Sequence, residues 1–194
     1  MAYLILIVAE MCPRRPLLFL SLLASEMIEI IVVGDTGFNS TGVEIVERPD
    51  GGTGVVFYGL SNFLHLGMQN MGCHDICHDY GLLGRVQLAR TANGDLSLIS
   101  VRVVPLTDMH RATKPLPPEP AALRIAALNH LSSQLDDPDS CATGLRFSVQ
   151  EDGSGLWCHQ DAESDACASL APPVPVSVST ATRIASACRR VLTR

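Results

Sequence analysis

Apolar side chains gather into short, β-branched runs broken by Gly, Pro and Asn, and take up helical spacing at one place, over residues 119–135. Ile28 to Val33 reads Ile-Glu-Ile-Ile-Val-Val and then meets Gly34, which predicts a buried strand halted by a turn. Gly42 to Glu47 and Gly54 to Leu60 are two further strands. The Pro and Gly residues of Arg48-Pro49-Asp50-Gly51-Gly52 mark the turn between them, so they predict a hairpin. Residues 61–81 carry no sustained period and read as a loop. Leu82 to Arg90 and Leu96 to Val104 flank Asn93-Gly94, a strong short-range signal for a second hairpin. Lys114-Pro115-Leu116-Pro117-Pro118 reads as a stiff linker, and Pro120 suits the first turn of a helix. That helix places Ala122, Ile125, Ala126, Leu128, Leu131 and Leu135 largely on one face. Leu145 to Gln150 is the last strand in the pattern. The fold class that follows is α/β or α+β: a small mixed sheet with β-hairpins and one main helix.

Three regions are expected. Residues 1–26 hold two apolar bursts, Met1 to Met11 and Pro16 to Ala24, separated by Pro13-Arg14-Arg15. Each is shorter than the ~20 residues that span a bilayer. The second has the size and basic flank of a leader, while the first makes a poor leader start, so a buried strand is the competing reading. Residues 27–150 form the domain. Residues 151–194 turn to Ser, Ala, Pro and Thr, which predicts a poorly ordered tail.

Composition narrows the chemistry. A net charge of -6, with no Lys/Arg cluster beyond Arg14-Arg15 and Arg189-Arg190, excludes a nucleic-acid footprint. Aromatic residues make up 5% of the chain, so the core must be mainly aliphatic. The seven cysteines are an odd number at irregular spacing, which argues against a disulfide framework and for reduced, small apolar side chains.

Two features could carry metal chemistry. Asp35 follows a strand and Gly34, where open α/β sheets place ligands. The competing reading is a simple turn in which Asp35 and Asn39 bond their own backbone. Cys73-His74-Asp75-Ile76-Cys77-His78-Asp79 repeats a four-residue pattern, so Cys73 with Cys77, or His74 with His78, would share a helix face and suit a soft divalent ion such as zinc. Gly72 and Gly81 bracket that segment and favour a loop with solvated imidazoles instead. His65 and Cys158-His159 are the distant residues that could complete such a set. Ser61 is not in a nucleophile elbow, because Phe63 stands where the second glycine is needed.

Gly42-Val43-Glu44-Ile45, a short turn, an apolar strand and then Tyr58-Gly59-Leu60-Ser61-Asn62-Phe63 form a pattern that resembles the carboxy-terminal part of CapA-like proteins. These are the capsule and poly-γ-glutamate synthesis group, with a metallophosphoesterase-like fold. Gly59 and Ser61 stand in swapped order relative to the family's Tyr-Ser-Leu-Gly-Asn-Phe. The likeness runs from about Gly42 to Val149, with Ile28 to Phe38 resembling the family's opening strand and Gly-Asp motif. It implies that Asp35 is a metal ligand, that Asn62 lines the site, and that the setting is exopolymer synthesis at the cell envelope. Without a leader the chain would stay in the cytoplasm.

The departure from the family is large. Only 22 residues separate Asp35 from Tyr58, and no histidine precedes His65. Most of the family's catalytic domain, with the remaining ligands of a manganese or zinc centre, belongs in that interval. The resemblance therefore implies a truncated, catalytically incomplete fragment. Two other readings stand beside it: a non-catalytic accessory module that docks on a partner or on itself through exposed sheet edges, and a small Cys/His metal-binding protein.

Overall fold

In the computed structural model, residues 29–33, 42–47, 53–58, 81–90, 92, 94, 96–108, 111–136, 142–159, 165–168 and 170 are described. The β-branched runs form strands where expected: β1 (Glu29–Val33), β2 (Gly42–Glu47) and β3 (Thr53–Tyr58). β2 and β3 make the predicted antiparallel hairpin, with Val43 opposite Phe57 and Ile45 opposite Val55. β1 lies parallel to β3 on its other side, Val33 beside Tyr58. With β7 (Ala142–Gly144) they make a mixed sheet in the order β1-β3-β2-β7.

The Asn-Gly signal also marks a real hairpin. β4 (Gly81–Arg90) pairs with β5 (Leu96–Thr107), with a register shift between Gln87 and Leu88. The connection runs over 91–95 rather than over two residues. Gly94 adopts φ +95° there, and Arg90 Nη1 donates to its carbonyl at 2.5 Å. The second sheet continues as β4-β5-β9-β8, with β8 at Ser148–Val149 and β9 at Gly155–Cys158. Among the described residues the fold is α+β, with two sheets rather than one.

Helix α1 (Pro118–Ser133) starts with proline in its first turn, where a missing amide leaves no bond unmade. Its burial departs from the predicted stripe. Ala121, Arg124, Ile125, Ala126, Ala127, Leu128 and Ser132 are all buried, whereas Ala122, Leu131 and Leu135 are half-buried. A helix enclosed on most sides needs small residues around its girth, and its alanines supply them. Ile125 and Leu128 meet Val43, Val55 and Phe57 from the first sheet, and Leu98, Val101 and Val103 from the second, in one core. The sheets touch directly as well: a Cβ on Gly84 would come 2.9 Å from the Phe57 ring.

Three expectations are corrected. Lys114-Pro115 is strand β6 rather than a free linker, paired with Thr107 and Leu106 of β5. Leu145 to Gln150 is not one strand. β7 belongs to the first sheet and β8 to the second, and residues 145–147 carry the chain between them. Past residue 150 the described chain continues in the second sheet. Glu151 to Ser154 turn the chain, Gly153 at φ +80°, and β9 runs back between β5 and β8. Gly155 is closely packed there: a Cβ on it would lie 2.9 Å from Ile125, Phe147 and Val103. Short α2 (Asp165–Ala168) follows, joined to β9 by a Cys158–Cys167 disulfide, so these two cysteines are not the reduced side chains expected. No helix among the described residues is long and apolar enough to cross a membrane.

Candidate functional site

Parallel pairing places the carboxyl ends of β1 and β3 side by side, since Val33 registers with Tyr58. The chain therefore leaves both strands at one edge of the sheet. Asp35 is two residues beyond β1 and Asn62 four beyond β3. Both lie outside the described residues, as do Cys73, His74, Cys77 and His78.

One polar pair marks this edge within the described fold. Glu44 is only 1% exposed although it is a carboxylate in a strand. Tyr58 Oη donates to Glu44 Oε1 at 2.5 Å. The pairing follows from register. Gly42 stands opposite Tyr58 and Glu44 opposite Val56, so Glu44 and Tyr58 are diagonal neighbours on one face. Val43, Val55 and Phe57 take the other face, toward the helix and the second sheet. Burying a carboxylate is costly unless its oxygens are hydrogen-bonded, and a phenol is a strong donor to a charged acceptor. The pair can fix the aromatic ring that ends β3, immediately before Gly59-Leu60-Ser61-Asn62.

Each residue of Gly42-Val43-Glu44-Ile45 has a structural task as well. Gly42 takes φ +142°, and a Cβ there would meet Leu135 Cδ1 at 2.8 Å. The Val43 amide donates to Ser132 Oγ at 3.0 Å, tying β2 to the end of α1. Ile45 packs against the core. The tetrapeptide thus joins the hairpin to the helix and positions the buried carboxylate.

A second polar cluster locks the β8–β9 turn. Asp152 Oδ1 accepts from the Ser154 hydroxyl at 2.6 Å and from the Ser154 amide at 2.9 Å. Arg102 Nη1 donates to Ser154 Oγ at 2.8 Å and lies 3.5 Å from Asp152 Oδ2. The Ser154 hydroxyl, then its amide, and also the Arg102 charge hold the Asp152 carboxyl below its ordinary value. This arrangement shapes the turn between β8 and β9.

Among the described residues no group of three or more His, Cys, Asp or Glu is placed to hold a metal ion. Cys158, named above as a distant ligand, has its sulfur committed to Cys167. His159 stands edge-on to Trp157, ring centroids 6.1 Å apart. No protein-family model matches the chain, and neither a curated protein nor a solved structure does.

Glu44 and Tyr58 stand in the two halves of one sequence motif, which does not by itself pair them. The signal was present. Once β2 and β3 are read as a hairpin whose turn fixes Gly42 opposite Tyr58, residues 44 and 58 must share a face.

Proposed function

We propose that this chain is a catalytically incomplete, CapA-like fragment of metallophosphoesterase type, linked to synthesis of a capsule or poly-γ-glutamate exopolymer at the cell envelope. The observation that carries the reading is the parallel register of Val33 with Tyr58. It makes the Gly34-Asp35 and Gly59-Leu60-Ser61-Asn62 segments depart from one carboxyl-terminal sheet edge, where α/β proteins bind ligands. The β2–β3 hairpin carrying both halves of the resembling pattern supports it further.

In this reading Asp35 supplies one ligand to a divalent ion, manganese or zinc, and Asn62 lines the site. A two-metal phosphoesterase needs several ligands converging from separate strands. With 22 residues between Asp35 and Tyr58, the chain has no room for the rest of that cage in the interval where the family carries it. Phosphatase turnover with added manganese is the test. The expected result is a rate indistinguishable from buffer. Appreciable turnover abolished by Asp35→Ala would refute the claim of incompleteness.

A second reading, an accessory module that pairs with a partner or a second copy through a sheet edge, draws on β4. Among the described residues this ten-residue strand ends its sheet, and it carries Leu83 at 44% exposure. Concentration-dependent size-exclusion elution supports it; a sharp monomer across the range counts against it.

A further inference from the structure

The Cys158–Cys167 bond joins an interior strand to a helix of a single turn. On one side, β9 is an interior strand. It pairs with β5 from Ser100–Cys158 to Val103–Gly155 and with β8 at Ser148 and Val149. Leu156 is 2% exposed, Gly155 is wedged among Ile125, Phe147 and Val103, and the His159 amide donates to Ile99 O at 2.9 Å just beyond the strand. On the other side, α2 is four residues long, well short of a helix that holds by its own hydrogen bonds. The two cysteines are nine positions apart, and both are only half-buried, within reach of a soluble thiol.

We propose that this disulfide is a redox-responsive fastener: oxidised, it holds α2 to the end of β9; reduced, it releases α2 while the sheet stays intact. The inference is independent of the phosphoesterase-like reading. A small dithiol carries out the release. One of its thiolates attacks a cystine sulfur and forms a mixed disulfide, expelling the other cysteine as a thiolate that takes up a proton. The second thiol of the reagent then closes on the first, freeing the remaining cysteine. Two electrons pass to the protein, and the reagent leaves as its cyclic disulfide. An oxidising compartment keeps the fastener shut and a reducing one opens it.

Hydrogen exchange read by mass spectrometry on the full chain tests this. Three forms are compared: oxidised, reduced with dithiothreitol, and a Cys158→Ser/Cys167→Ser double variant. The double variant separates this bond from effects at the other cysteines. Peptides covering 160–170 should exchange faster in the reduced and double-variant forms, by up to about 100-fold, the ceiling set by closing so short a ring. Amides of β5 and β9 should keep their protection. Unchanged exchange over 160–170 would overturn the proposal, as would equal loosening of β5 and β9, which makes the bond a global staple. A peptide map of the oxidised chain that lacks the Cys158–Cys167 pair would overturn it too.

Discussion

Asn129 carries the most exacting test of how this fold is held. Its side chain sits on α1 against Phe147, which is fully buried and lies where the chain leaves one sheet for the other. Within that crossing the Leu145 amide still donates to the Val43 carbonyl of β2, and at Phe147 Asn129 takes the place of a pairing strand. Its Oδ1 accepts the Phe147 amide at 2.8 Å, and its Nδ2 donates to the Phe147 carbonyl at 2.9 Å. Asn129→Ala removes both bonds and strands a backbone donor and an acceptor away from water. Each orphaned group costs about 1–3 kcal/mol, and alanine returns about 0.5 kcal/mol of helix propensity. The net loss should be about 1.5–5.5 kcal/mol, read as a lower urea midpoint at unchanged slope, with Trp157 fluorescence as the signal.

Asn129→Asp sharpens the test. One carboxylate oxygen still accepts the amide, but the other faces the Phe147 carbonyl and repels it. A protonated carboxyl can donate there instead, so the folded pKa of Asp at 129 lies above its unfolded value. The stability tied to that proton is fully present below the unfolded pKa and is lost as pH rises through the folded one. Relative to the parent, the variant should therefore recover in acid. A Asn129→Ala loss under about 0.5 kcal/mol, or an Asp variant with no relative recovery in acid, would refute the reasoning.

Other outcomes follow from the same contacts. Gly144→Ala should cost roughly 3 kcal/mol or more, or abolish soluble expression, because its Cβ would sit 1.8 Å from the Ser132 carbonyl oxygen; thermal melting reads it. Tyr58→Phe takes the phenol from the buried Glu44 carboxylate and should lose about 2 kcal/mol in urea unfolding, while Phe57→Leu on the opposite face of β3 leaves that hydrogen bond in place and loses packing alone. Asp152 has a folded pKa depressed below 3.8, so its contribution is present above that value and fades as pH falls through the folded pKa. Asp152→Asn should therefore remove a small contribution at neutral pH, little or none in strong acid, and so flatten the acid limb below pH 3.8; the loss is small because the side chain is largely exposed.

The elements visible in the sequence are those decided locally. Ile28 to Val33, the two hairpins and the 119–135 helix each carry their signal in consecutive residues: β-branching, a turn dipeptide, prolines in a first helical turn. The segments whose structure differs from their local pattern are decided by distant partners. Lys114-Pro115 reads as a linker because proline lacks a ladder donor, yet its pairing with Leu106 and Thr107 seats it against β5, and the next amide, from Leu116, donates to the Pro105 carbonyl at 2.9 Å. Gly153 and Gly155 look like low complexity until Ala121 is brought against the first and Ile125 and Phe147 against the second, and then even a Cβ crowds them. Arg124 interrupts an apolar face in one dimension and is 3% exposed in three, because the helix is enclosed on more than one side.

The candidate site divides along the same line. Alternation within β2 assigns Glu44 to the face opposite Val43 and Ile45, and a two-faced strand in a small domain ordinarily turns such a residue to water. Glu44 is buried nonetheless, together with Val46 and Val56 on that face, so the first sheet is covered on both sides. A sheet covered on both sides is the environment in which parallel pairing persists, and β1 beside β3 supplies that pairing. Burial of Glu44 and the parallel register of Val33 with Tyr58 are therefore two consequences of one architecture, a doubly covered sheet whose carboxyl edge is where Asp35 and Asn62 follow in the chain.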